Sequence, residues 1–255
     1  MTSLWNATIP DTDHPRPALS VHTGDAGPWD VVIVGGGFTG LWTARSLAEL
    51  DPGLRMLVVE AERCGFGASG RNGGWCSALF PTAYDTLAER HGAAAAEAQR
   101  QAMRAAVDEV GAAAAADGID CHFAKGGTLT LSTSPAQTER VRAHAEPDDL
   151  WLDADAARAR VNATGVLGAM YTPHCAALHP GRLAVGLAAA VEQRSVRIVE
   201  NTRVGAIAPG LVTCTDGQSI RAGAVIRATE GYTPTLRGHR RTVAPLYSLM
   251  IATEP

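Results

Sequence analysis

Residues 30–41 read Asp-Val-Val-Ile-Val-Gly-Gly-Gly-Phe-Thr-Gly-Leu, and few folds accommodate such a stretch. Val31 to Val34 are four consecutive β-branched residues, the signature of a parallel strand buried on both faces. Gly35, Gly37 and Gly40 follow with the G-x-G-x-x-G spacing of a dinucleotide site. Each glycine answers a separate need: Gly35 the tight turn from strand to helix, Gly37 the approach of backbone to a pyrophosphate, Gly40 the close packing of the helix on the strand. The amino terminus of that helix offers unpaired N–H groups and a partial positive charge to phosphate.

The flanking residues support this reading. Leu41, Ala44, Leu47 and Ala48 share one face of a helix over 41–50, which Asp51-Pro52-Gly53 breaks. A second strand over 54–59 ends in Glu60, about 20 positions past the last glycine, where a carboxylate accepts hydrogen bonds from ribose hydroxyls. Directly afterwards Gly65, Gly67, Gly70, Gly73 and Gly74 fall within one short stretch, with Ser69, Arg71 and Asn72 as its polar groups. A loop so poor in side chains suits backbone lying flat against a ligand. Trp75, Leu79 and Phe80 behind it predict a buried, fixed segment.

Composition excludes several classes. The net charge of −4 offers no basic stripe for nucleic acid. Cys64, Cys76, Cys121, Cys175 and Cys214 include no C-x-x-C, which predicts neither a zinc site nor a disulfide framework but reduced thiols in a cytoplasmic protein. No apolar run approaches the ~20 residues that span a bilayer, and no signal sequence opens the chain.

Along the rest of the chain, the prolines within residues 1–27 predict an extended arm, anchored by Trp5 and Leu19. Residues 82–117 read as two alanine-rich helices meeting at Gly92 and stopped by Gly118, with Glu97, Arg100, Arg104 and Asp108 on a solvated face. Strands are expected over 121–124, 128–132 and 166–171, with helices over 135–145 and 153–161. His179-Pro180-Gly181 opens a helix over 182–194. Strands over 196–200, 203–207, 211–215, 219–221 and 224–228 follow, with Pro209-Gly210 and Asp216-Gly217 as turns.

Four separated blocks then coincide with one family. Residues 32–41, Gly67-Ala-Ser-Gly-Arg-Asn-Gly-Gly74, Ala177-Leu-His-Pro-Gly-Arg-Leu183, and Ala228-Thr-Glu-Gly-Tyr232 with Ile251-Ala-Thr-Glu-Pro255 resemble the FAD-dependent oxidoreductases of the D-amino-acid oxidase superfamily, in the gamma-glutamylputrescine oxidase and glycine oxidase branch. Leu4-Trp5 and Arg16-Pro17-Ala18-Leu19 resemble that branch as well. The resemblance implies an α/β fold, α+β overall: a Rossmann-like FAD-binding domain with a parallel sheet and a three-stranded meander, and an incomplete antiparallel substrate domain. Residues 28–118 and 176–232 are expected to form the discontinuous FAD domain, and 119–175 with 233–255 the substrate domain.

By the same resemblance, Phe38 and Thr39 face the pyrophosphate, and Glu60 with Ala61 holds the adenosine. Ala68, Ser69, Arg71, Asn72, Gly73 and Gly74 line the pyrophosphate and flavin ring. Val204 meets adenine through its backbone, and Ala228 and Thr229 pass beside the phosphates. Where many relatives have Asn-Ala-Tyr, this chain has Glu230-Gly231-Tyr232, and a carboxylate facing a buried cofactor needs a partner. The implied chemistry is oxidation of an amine or amino-acid C–N bond: hydride passes to flavin N5, the imine hydrolyses, and oxygen or another acceptor reoxidises the flavin.

The family's main substrate contacts come from a longer segment, so a continuation of the chain or a second polypeptide is expected to complete the site. No catalytic residue is assigned. Trp75 and Tyr247 are the substrate-side candidates, as an aromatic wall for an ammonium group, with core or edge packing as the alternative for each. His174, Cys175 and His179 read as helix capping rather than metal binding, and Arg237, Arg240 and Arg241 as a solvated turn or a contact for a substrate carboxylate. Two other functions compete: a nicotinamide-dependent dehydrogenase, and a truncated protein that binds a nucleotide without turnover.

Overall fold

The structure, a computed structural model, describes residues 3–9, 15–20 and 28–249. It divides into two compact units. The first comprises Met1–Gly74, Ala114–Cys121 and His179–Pro255; the second, Trp75–Ala113 and His122–Leu178.

The first unit is built on the strand that the opening motif predicts. β1 (Trp29–Val34) is followed by α2 (Phe38–Leu50), after a single helical turn α1 (Leu4–Ala7), and then by β2 (Met56–Val59). All four β2 residues are buried, as are Val31 to Val34. The six-stranded sheet has the order β10 (Val204–Ala208), β11 (Leu211–Cys214), β12 (Ser219–Arg227), β1, β2, β9 (Arg197–Val199). β12, β1, β2 and β9 run parallel, whereas β10, β11 and β12 form an antiparallel meander. One face carries the core, in which Val32, Val34, Leu57, Val59, Val199, Val212 and Ile220 pack together. On the other face lies α2, which packs on α7 (Pro180–Gln193).

β12 corrects the expectation of two strands over 219–221 and 224–228. It is one nine-residue strand that changes partners: Ser219 and Arg221 pair antiparallel with β11, and residues from Ala222 onward pair parallel with β1. Gly223 sits at the change, where a Cβ would stand 3.1 Å from Asp30 O.

The second unit holds α3 (Tyr84–His91) and most of α4 (Ala93–Ala116), separated by Gly92 at φ +87°. It has two three-stranded antiparallel sheets: β3 (Trp75–Ser77), β8 (Cys175–Ala177) and β4 (Ala124–Lys125), and β5 (Thr128–Ser132), β7 (Gly168–Thr172) and β6 (Leu150–Asp153). Helices α5 (Pro135–Ala143) and α6 (Ala154–Arg160) are capped by the side chains of Ser134 and Asp153.

Three expectations fail in this unit. The strand expected over 121–124 shrinks to its end, because His122 adopts φ +53°. The face of α4 expected to be solvated is so only at its ends, Glu97 and Asp108; between them the Arg104 guanidinium meets Glu146 and Asp148, both at 2.7 Å. Trp75, Leu79 and Phe80 are exposed instead of buried: Trp75 opens β3, a strand at one edge of its sheet, and Leu79 and Phe80 follow it outside any strand. Among the described residues no helix is long and apolar enough to cross a membrane.

Candidate functional site

The site is a groove at the carboxyl ends of β1 and β2, where the crevice of a parallel sheet takes ligands. Gly35 turns the chain there with φ +115°, and a Cβ on it would lie 2.4 Å from Ala228 O. Residues 228–229 therefore run against the turn, tied by the Ala228 amide donating to Val34 O at 2.8 Å. At Gly40 a Cβ would come within 2.0 Å of Gly35 O, so helix and turn are in backbone contact.

Helix α2 starts with Gly37 in the cap position and no side-chain cap of its own. The second glycine-rich segment supplies one. Ser69, in a 3-10 turn over Ala68–Gly70, accepts the Phe38 amide at its Oγ at 2.9 Å. Asn72 fixes this loop from behind: its Nδ2 donates to Ser69 O at 3.0 Å, its Oδ1 accepts the Gly74 amide at 2.9 Å, and its carbonyl accepts Trp5 Nε1 at 2.7 Å.

At the other end of the groove, Glu60 closes β2. Its Oε2 accepts the Gly36 amide at 2.7 Å and its Oε1 the Glu62 amide at 3.0 Å. Burial raises its pKa, while the amides of Glu62, Gly36 and Ala61 pull the other way. Beside it Arg203 pairs with Glu62 at 2.6 Å, and the Thr202 amide donates to Glu60 O at 2.9 Å.

Of the residues singled out from the sequence, Gly35, Gly37, Phe38, Thr39, Glu60, Ala61, Ala68, Ser69, Val204, Ala228 and Thr229 line this groove. Gly40, Arg71, Asn72, Gly73 and Gly74 do not. Gly40 packs behind the turn, Asn72 braces the loop, and the exposed Arg71 stacks on Phe66 at 4.4 Å. Phe66, Gly67, Thr202, Arg203, Tyr232 and Leu236 line the groove without having been predicted as contacts. Of these only Gly67 and Tyr232 lay in a motif, and they meet each other: a Cβ on Gly67 would be 3.0 Å from the Tyr232 ring. Glu230 also lines the groove, exposed, at φ +38°, with its carboxylate accepting the Gly231 amide.

Trp75 is 73% exposed on β3 of the second unit; Tyr247, in the first unit, is 87% exposed and lies outside the groove lining. Arg237, Arg240 and Arg241 are exposed. His179 caps α7: its Nδ1 accepts the Arg182 amide at 3.1 Å, and Nε2 lies 2.9 Å from Thr8 Oγ1. His174 lies 2.8 Å from Asp148.

The fit to a dinucleotide follows from the backbone. The first turn of α2 brings the exposed Thr39 to the groove, its amide without an acceptor within the helix, above a turn whose glycines leave no Cβ in the way. Glu60 ends the second strand of the motif and lines the groove. The fold and the groove thus define a dinucleotide-binding protein of the Rossmann type, with a second glycine loop built into the site.

The chain belongs to the FAD dependent oxidoreductase family (DAO), whose model matches residues 30–255. Gamma-glutamylputrescine oxidoreductase of Escherichia coli (strain K12) is 32% identical over 212 residues, covering 80% of this chain and 49% of that protein. The probable oxidoreductase OrdL of Haemophilus influenzae is 28% identical over 242 residues, covering 89% and 56%. Glycine oxidase from Geobacillus kaustophilus superposes with a TM-score of 0.67 at 25% identity, over 84% of this chain and 58% of that one. The chain spans about half the length of the curated relatives it matches. FAD is accordingly the cofactor of the family to which this groove belongs.

Proposed function

We propose that this chain carries the FAD site of an oxidoreductase that oxidises the C–N bond of a small amine or amino acid, in the cytoplasm. The observation that carries the reading is the junction of Ser69 with Phe38, which joins two glycine segments into one cradle in the groove that Glu60 also lines. The names of gamma-glutamylputrescine oxidoreductase and glycine oxidase support the substrate class.

In this reading Phe38 and Thr39 face the pyrophosphate, the Thr39 amide being the free donor because that of Phe38 is held by Ser69, Glu60 receives the adenosine ribose, and the Val204 backbone faces adenine. Ala228 and Thr229 flank the phosphates. Ala68 and Ser69, with Arg71 to Gly74 behind them, set the floor on the flavin side. FAD, when bound, supplies the two-electron acceptor for the hydride leaving the substrate α-carbon. The protein's part is to orient and desolvate the amine, with Trp75 and Tyr247 as the aromatic candidates. The remaining substrate contacts come from residues beyond the matched half of the relatives, in the same or a second polypeptide.

Absorbance of the purified protein in the flavin region, or recovery of it on adding FAD, tests the cofactor; reduction of that absorbance by a panel of amines under anaerobic conditions tests the chemistry. A colourless protein that FAD does not reconstitute sinks the reading. A second reading, nucleotide binding without turnover by this chain alone, is favoured by its covering 49% of the Escherichia coli relative. Flavin that binds but is not reduced by any amine would select it.

A further inference from the structure

Residues 15–20 of the N-terminal arm are tied into the adenosine end of the groove, and Arg16 is the tie. Its side chain is 8% exposed. Nε and Nη2 donate to the two carboxylate oxygens of Glu192, each at 2.9 Å, and Nη1 donates to Glu200 Oε1 at 3.2 Å. Glu200, just past β9, is 4% exposed. The same Oε1 accepts the Cys64 amide at 2.8 Å, in the loop between Glu60 and the second glycine segment.

The connection reaches the groove through Thr202. Its Oγ1 accepts the Leu19 amide at 2.9 Å and donates to Glu200 O at 2.9 Å, while its own amide donates to Glu60 O at 2.9 Å. Three segments distant in sequence are thus held together: the arm, residues 200–202, and the end of β2. A carboxylate as deep as Glu200 is tolerated only when its charge is compensated. Glu60, close by in the same network, is also acidic, and the cation that Glu200 meets is Arg16, shared with Glu192.

We infer that Arg16 is a positioning residue for the adenosine half of the cofactor: by bridging Glu192 and Glu200 it holds Thr202, and through Thr202 the Glu60 strand end, in the arrangement that receives a ribose. The inference rests on the groove being an FAD site. No contact between Arg16 and the cofactor is involved.

The test measures dissociation constants of the full chain for FAD, by flavin fluorescence, and for ADP, by calorimetry. Arg16→Met is expected to weaken both about ten-fold, the scale of one charge-assisted hydrogen bond. Arg16→Lys, which restores the charge without the fork, recovers part of the loss. Wild-type ADP affinity in Arg16→Met overturns the inference, and so does an Arg16→Lys variant as weak as Arg16→Met, which would mark lost packing. Should Arg16→Met fail to fold, Arg16→Gln is read by the same two criteria. A wild-type chain that binds neither FAD nor ADP would instead overturn the FAD-site reading, and the inference with it.

Discussion

The Phe38 amide donates to the Ser69 hydroxyl at 2.9 Å, so the second glycine-rich loop caps the helix that the first one opens. Helix α2 has no capping side chain at Gly37, and the cap is supplied to Phe38 from 31 residues away. This makes the two loops one structural element. Loss of either disturbs the other.

Ser69→Ala removes that acceptor and leaves the Phe38 amide without its partner. We expect a loss of about 1 kcal/mol in stability, the ordinary worth of an N-cap, measured by urea unfolding without ligand. FAD affinity falls as well, because Ser69 itself lines the groove. A variant with unchanged midpoint and slope would show that the contact contributes nothing.

Gly37→Ala and Gly40→Ala separate binding from folding. A Cβ on Gly40 would meet Gly35 O at 2.0 Å, a clash of backbone against backbone that no rotamer relieves, and we expect ~3 kcal/mol or more of destabilisation. A Cβ on Gly37 would meet Ser69 Oγ at 2.9 Å, a side-chain atom that can rotate away. That variant keeps its fold, at a cost of about 1 kcal/mol for the displaced Phe38 cap, but loses FAD affinity. Circular dichroism melts and flavin titration of the two proteins distinguish the outcomes; a Gly40→Ala protein as stable as wild type would refute the packing argument.

The legible part of this molecule is the part whose physics is local. β1, β2 and the glycines between them could be read because a buried parallel strand, a turn with φ above zero and a helix cap each leave their mark within a few residues. The cradle around Gly35, Glu60 and Ser69 followed directly. β3 and β8 could not be read, since three residues carry no period and Trp75 finds Ala177 only across about a hundred intervening positions. The continuity of β12 was hidden for a related reason: Gly223 interrupts the pattern where the strand exchanges one partner for another. Thr202 and Arg203 entered the groove unannounced because their place depends on tertiary contacts with Glu60 and Glu62, not on any motif.

Asp117 shows the same dependence on distant partners and gives a pH prediction. Its Oδ2 accepts Arg45 Nε at 2.6 Å and its Oδ1 accepts Arg194 Nη2 at 2.5 Å, with its side chain 3% exposed. Burial alone would raise its pKa, but the two guanidiniums hold it below the ordinary carboxylate value. A depressed folded-state pKa contributes stability that is fully present above the unfolded value of about 3.9 and is lost as pH falls through the folded one. Unfolding free energy of the wild type should therefore decline below about pH 4 more steeply than that of Asp117→Asn. The variant itself loses about 1–2 kcal/mol near neutrality, less than a wholly uncompensated buried pair would, since Arg45 and Arg194 both keep Glu49. Parallel pH slopes for the two proteins would contradict the assignment.

Glu230 combines two costs that one substitution removes. It holds φ +38°, a region disfavoured for a side chain of its length but tolerated by asparagine, and it brings a carboxylate to the lining of a groove meant for phosphates. Glu230→Asn should stabilise the protein by about 0.5–1 kcal/mol through relief of the backbone. It should also tighten FAD binding, because a like charge is withdrawn from the pyrophosphate. The two effects differ in their response to salt: Glu230 is exposed, so its repulsion is screened, and the affinity gain should shrink between about 0.01 and 1 M ionic strength while the stability gain persists. An affinity gain independent of salt would place the effect in the backbone alone, and no gain at all would mean that Glu230 turns away from the bound phosphates.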